Sequence, residues 1–163
     1  MMINQFIKNQ HSKEDFDTPQ ELLNKTTEKV TTFLNSYYPD NLNFGNGSFT
    51  ISSGSTQVMI IIRPFTSTET CVELISNVVT GALINDELLR FLMHKNAELH
   101  FGSFGILFDG TITFSYSLTG SCLEENQFIT ALQAVSIISD HYDDIIVSIA
   151  GGKRASDDID SLE

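Results

Sequence analysis

The sequence predicts an α+β fold: a mainly antiparallel sheet of about five strands, in the order α-β-β-β-α-β-β-α, with the helices packed on the sheet. Three observations carry that expectation. Apolar residues recur at three- and four-residue spacing in three separate segments, the period of an amphipathic helix. Between them the period falls to two, as in half-buried strands. Successive strands are joined by short turns, which antiparallel neighbours can use and parallel ones cannot. With 163 residues, 41% of them hydrophobic, the chain has enough apolar material for one core.

The first helix is expected at about 19–38. Thr18 is placed as its N-cap, Pro19 at its first position and Glu21 to close a capping box. Leu22, Leu23, Thr26, Val30, Phe33, Leu34 and Tyr37 form its stripe until Pro39. Three strands follow, at about 48–53, 57–63 and 69–79; Gly45-Asn46-Gly47-Ser48 is a turn before the first, and Ser53-Gly54-Ser55 turns the first into the second. Pro64 either stops the second of them or marks a bulge. Asn85 caps a second helix, which ends near Asn96. In the hairpin that follows, Phe104, Ile106 and Phe108 alternate on one strand and Ile112, Phe114, Tyr116 and Leu118 on the other. Asp109-Gly110 is its turn, and Thr111, Thr113, Ser115 and Ser117 face the opposite side. Ser121 to Glu124 reads as a capping box opening a last, long helix. The domain is expected over 18–150, between a flexible N-terminal arm (1–17) and a flexible acidic tail (151–163).

Nine Lys and Arg stand against 21 Asp and Glu, a net charge of −12. That balance argues against nucleic acid and anionic membranes, which need clustered cations. Residues 18–150 hold −9 of it, and no Lys or Arg occurs from Asn96 to Gly152. A basic partner would meet that half of the domain. The absence of a signal peptide or spanning segment and the two isolated cysteines, Cys71 and Cys122, point to the cytoplasm.

Residues capable of chemistry do not assemble into a pattern that needs them. His94, Glu98 and His100 have metal-ligating side chains, but the helix end near Asn96 separates them, so no metal is expected. Asp140, His141, Asp143 and Asp144 read as the solvated face of the last helix. Cys122 lies near a helix start but has no base beside it. No catalytic residue and no cofactor is expected, and the protein is read as not an enzyme.

The informative departure is Val58-Met59-Ile60-Ile61-Ile62, apolar on both faces where a sheet with one wet face should alternate. If Val58, Ile60 and Ile62 face the core, then Met59 and Ile61 face the other side, joined by Ile75 and Cys71 from the neighbouring strand. Large side chains left in water forgo about 1.5–3 kcal/mol each, so such a group marks a covered surface. The cover is a helix of the same chain, a second subunit or a client segment. Met59, Ile61 and Ile75 are therefore the candidate partner-binding residues.

The element order, and the junction Leu88-Leu89-Arg90-Phe91-Leu92-Met93-His94-Lys95-Asn96 leading to Phe101-Gly102-Ser103-Phe104-Gly105, resemble the YbjN-like family. That family shares its fold with the class I type III secretion chaperones, and the resemblance covers about 18–150. It implies a small acidic protein, commonly a homodimer, that binds other polypeptides and has no catalytic centre. For the secretion chaperones the partner is an extended segment laid across apolar patches and strand edges. The leading expectation is thus a non-enzymatic, chaperone-like homodimer with an unidentified polypeptide client. The alternative is a small-ligand sensor or regulatory subunit, with a pocket beneath Phe101, Phe104, Phe108, Phe114 and Tyr116.

Overall fold

Helix α1 (Gln20–Tyr37) starts beside Pro19, whose φ of −59° and ψ of 136° leave it just outside the helix. The structure, a computed structural model, describes residues 17–160. Thr18 does not cap the helix. Its hydroxyl donates to the carbonyl of Thr66 at 2.7 Å and accepts the N–H of Phe65 at 3.0 Å, tying the helix start to a strand end. The first turn has no side-chain cap. Thr26, Val30 and Leu34 are the buried residues of this helix, and Tyr37 at its end is exposed.

Strands β1 (Leu42–Gly45), β2 (Ser48–Ser53), β3 (Thr56–Thr66) and β4 (Glu69–Thr80) follow in a meander. Helix α2 (Asp86–Glu98) leads to β5 (Ser103–Ile106) and β6 (Ile112–Thr119). Helix α3 (Glu125–Ala150), β7 (Lys153–Arg154) and α4 (Ala155–Asp160) complete the described chain. The sheet runs β1-β2-β3-β4-β6-β5, and β7 pairs with the end of β4. Every pairing is antiparallel. Val79 pairs with Ile112 on one side and Arg154 on the other, so β7 lies on the β3 side of β4.

The α+β class and the antiparallel sheet are as the sequence predicts, but the described residues form seven strands rather than about five. All four residues of β1 are exposed, so no buried face imprints an alternation on them. The two residues of β7 carry no apolar side chain and lie in the segment read as a tail. Of the expected arm and tail, residues 1–16 and 161–163 lie outside the described residues. β3 runs through Pro64, and the register shifts between Pro64 and Thr66, a bulge that lets proline sit in the strand. β5 ends at Ile106, so Phe108 falls in the connecting loop and is fully exposed. Asp109 accepts the N–H of Thr111 at 2.9 Å there. Thr111 and Thr113 are buried rather than facing water.

Asn85 caps α2 as expected, accepting the Leu88 N–H at 2.9 Å. Ser121 does not cap α3. Its hydroxyl and N–H both donate to the carboxylate of Glu69, the N–H at 2.7 Å, so α3 begins at Glu125 without a side-chain cap. Gly102, at φ +78°, brings the chain out of α2 onto the sheet. A Cβ there would stand 2.7 Å from the Phe114 ring and 2.8 Å from the Ser115 carbonyl, so the step needs glycine.

The core lies between one face of the sheet and the helices. Its cross-strand rows are Phe49, Ile60, Leu74 and Tyr116, then Ile62, Val72 and Leu118. Val30, Leu34, Phe128, Leu132, Val135 and Ile146 close over them from α1 and α3. Tyr142 joins α2 and β5 to α3, with ring centroids 6.1 Å from Phe91 and 5.4 Å from Phe104. Edge-to-face contacts of this kind contribute about 0.5–1.5 kcal/mol beyond area burial.

Candidate functional site

Strand alternation turns the other face of the sheet away from α1, α2 and α3, which all bury their side chains in the core. Its central row is Thr50, Met59, Ile75, Ser115 and Ser103, and the next is Ser48, Ile61, Glu73 and Ser117. Met59 and Ile75 are directly opposed on β3 and β4. The three candidate residues are therefore brought together as an apolar island in a face of serine, threonine and charged side chains. The contrast along β3 is sharp: Val58 and Ile60 are 0% exposed, whereas Met59 between them is 39% exposed. Ile61 and Ile75 are half-buried. Beside Ile61, Arg63 and Glu73 form an ion pair at 2.6 Å on the same face.

At one margin of the island the sheet has a gap, because β7 resumes on the β3 side of β4 only beyond the start of β3. A cleft of about 290 Å³ occupies it, lined by Met59 and Ile75 from the open face and by Ser139 and Asp143 from α3. Gln57, Asn77 and the first residues of α4 complete its wall. Gly152, at φ +82°, packs so closely against the Thr80 carbonyl that a Cβ would not fit there. Asp143 corrects the reading of the last helix as solvated throughout. Asp140, His141 and Asp144 are exposed, but Asp143 is 7% exposed. Burial raises its pKa above the ordinary carboxylate range, with Asp144 and Asp140 adding to the rise. The N–H of Asp144 and the charge of Arg154 oppose it. Ser139, one helical turn earlier, is 2% exposed, and its hydroxyl has no hydrogen-bond partner among the described residues. In the sequence Asp143 stands among Asp140, His141 and Asp144, and nothing in that run marks it as the buried one.

The remaining candidates do not converge. No group of three or more His, Cys, Asp and Glu side chains among the described residues is placed to hold a metal. Glu98 instead pairs with Lys95 at 2.6 Å. Cys71 and Cys122 are unbridged. Cys71 lies on the open face, where burial and the neighbouring Glu73 push its thiol pKa up, away from nucleophilic use. The aromatic group Phe101, Phe104, Phe108, Phe114 and Tyr116 does not enclose a pocket. Phe104 and Phe114 stack at 4.9 Å within the core, while Phe108 is fully exposed in the hairpin loop.

A second apolar surface was not read from the sequence. Leu88 and Leu92 bury one side of α2, and Leu89 and Met93, each one residue further on, form an adjoining stripe 40% and 68% exposed. Leu83 before the helix and Phe101 after it are also exposed, at 68% and 48%. No described helix is long and apolar enough to cross a membrane.

Residues 23–158 match the profile of the family TY-Chap1, described as T3SS (YopN, CesT) and YbjN peptide-binding chaperone 1. No curated protein sequence matches the chain. Among solved structures, a chain of the ExsC–ExsE complex is similar, with a TM-score of 0.59 at 16% identity over 74% of this chain and 95% of that one. A chain of the HopA1–SchA chaperone–effector complex gives 0.55 at 9% identity, over 74% and 97%. YbjN from E. coli gives 0.44 at 10% identity, over 71% and 90%. These likenesses are of fold.

Proposed function

The chain belongs to the TY-Chap1 family of T3SS (YopN, CesT) and YbjN peptide-binding chaperones, and from that premise we propose that it binds an extended segment of another polypeptide across the open face of its sheet. The observation that carries the reading is the row in which Met59 and Ile75 oppose each other, with Ile61 beside them, on a face that α1, α2 and α3 leave uncovered. An extended client places alternate side chains on one line, about 6–7 Å apart, which suits an apolar island with a polar surround. The adaptable thioether of Met59 tolerates clients of differing shape. The negative charge of the domain favours encounter with basic segments. Membership is in a family of chaperones, not of enzymes.

We further propose that the protein works as a homodimer, with the stripe of Leu89 and Met93 as the contact between copies. Two exposed large side chains one helical turn apart, flanked by Leu83 and Phe101, favour self-association.

The test is an array of short synthetic peptides graded in apolar content and charge, probed with the wild-type chain and with Ile61→Glu. Peptides combining alternate apolar residues with net positive charge are expected to retain the wild-type chain and lose the variant. Equal retention of both chains would remove the sheet face from the account.

A further inference from the structure

The cleft at the margin of the apolar island has buried polar side chains in its wall. Asp143 reaches it from α3 as a carboxylate whose residue is 7% exposed, and among the described residues the N–H of Asp144 is its hydrogen-bond donor. Ser139 adds a hydroxyl without a partner among the described residues, in a residue 2% exposed. Buried polar groups are normally satisfied, and each one left unmatched weakens the fold. A carboxylate with one donor and a hydroxyl with none among the described residues, one turn apart on one helix and lining one cleft, constitute a prepared acceptor pair.

Arg154, the cation whose charge reaches Asp143, is committed to other carboxylates. Arg154 on β7 donates to Asp157 at 3.0 Å and lies 3.9 Å from Asp144. The volume, about 290 Å³, is at the small end for ligand sites and suits one long side chain better than a cofactor. Its entrance is shared with the open face, since Met59 and Ile75 line both.

We infer that the cleft is a specificity pocket for an arginine side chain of the bound polypeptide, whose guanidinium donates to the Asp143 carboxylate and the Ser139 hydroxyl. A guanidinium carries five N–H donors in a planar fork and no acceptor, which matches an anionic and a neutral acceptor set side by side. The client backbone then lies over Met59 and Ile75 while one basic side chain enters the gap in the sheet. This deepens the proposed function and rests on that reading.

The probe is acetyl-arginine N-methylamide, with the citrulline analogue as its uncharged isostere, titrated into the full chain and followed by backbone amide NMR shifts. The arginine probe is expected to shift Asn77, Ser139 and Asp143 saturably and the citrulline probe to do so at least about tenfold more weakly. Asp143→Asn removes the charge while keeping an oxygen for the Asp144 N–H, and Ser139→Ala removes a hydroxyl with no partner among the described residues, so both should fold and both should weaken the arginine probe. Equal affinity for the two probes, arginine binding indifferent to both substitutions, or no saturable shift would overturn the pocket. Peptides that depend on Ile61 yet tolerate citrulline in place of arginine would overturn the pocket and leave the sheet face standing. Saturable seating of the arginine probe that depends on Asp143 supports the pocket even where the peptide array is silent.

Discussion

Asn96 satisfies the backbone of Phe104 from both ends of its side-chain amide, accepting the Phe104 N–H at 2.6 Å and donating to its carbonyl at 3.1 Å. Phe104 lies on β5, the edge strand, so Asn96 takes the place of a further strand at that point. It fastens the end of α2 to the sheet and shields the edge from pairing with another chain. Asn96→Ala is expected to lower stability by about 1–3 kcal/mol, since it leaves a part-buried N–H unmatched. Urea denaturation measures the loss. An unchanged midpoint would show the clamp to be incidental.

Glu69 makes stability depend on pH in a known direction. Burial opposes its ionisation, but hydrogen bonds from the Ser121 hydroxyl, the Ser121 N–H and the Thr70 N–H outweigh that and hold its pKa below the ordinary 4.5. A carboxyl with a lowered folded pKa contributes fully above its unfolded value, and the contribution is lost as pH falls through the folded one. Glu69→Gln should therefore lower the melting temperature at neutral pH, with the gap from wild type closing below about pH 4.5. A gap that persists unchanged at pH 3 would contradict the linkage.

Asp143 has the opposite sign. Its folded pKa is raised above the ordinary 3.8, chiefly by burial, so the ionised form destabilises the fold at neutral pH and stability is recovered as pH falls through the folded value. Asp143→Asn should thus melt at a higher temperature than wild type at pH 7, with the advantage shrinking on acidification. Calorimetry at several pH values tests this. A lower melting point at pH 7 would mean that the charge is stabilised within the fold.

The stripe on α2 is expected to set the oligomeric state. Met93 and Leu89 are exposed, so Met93→Glu disturbs no core contact and should leave the circular dichroism and melting of an isolated subunit intact. Multi-angle light scattering is expected to give a dimer for wild type and a monomer for the variant. A wild-type monomer at tens of micromolar would end the dimer proposal.

The parts of the fold that were legible in the sequence are those where burial imposes a period. α1, β2, β3, β4, α2 and the long α3 each place apolar residues on the core side, and Met59, Ile61 and Ile75 stood out because they break that alternation. β1 and β7 were not legible, because neither has a buried face. The two expected caps failed for one reason. Thr18 and Ser121 have better partners elsewhere, in the end of β3 and in Glu69, and those partners are distant in sequence. The cleft was hidden for a similar reason: Asp143 sits among exposed Asp140, His141 and Asp144, and the β3 and β4 residues that line the cleft with it are distant in sequence.

The most direct test of the central claim is site-specific photo-crosslinking. A benzoylphenylalanine is placed at position 61 on the open sheet face or at position 137, an exposed site on α3 that is 67% accessible. A basic peptide with alternate apolar residues is expected to be captured at 61 and not at 137. Capture at 137 with none at 61 would contradict the assignment of the sheet face as the polypeptide-binding surface.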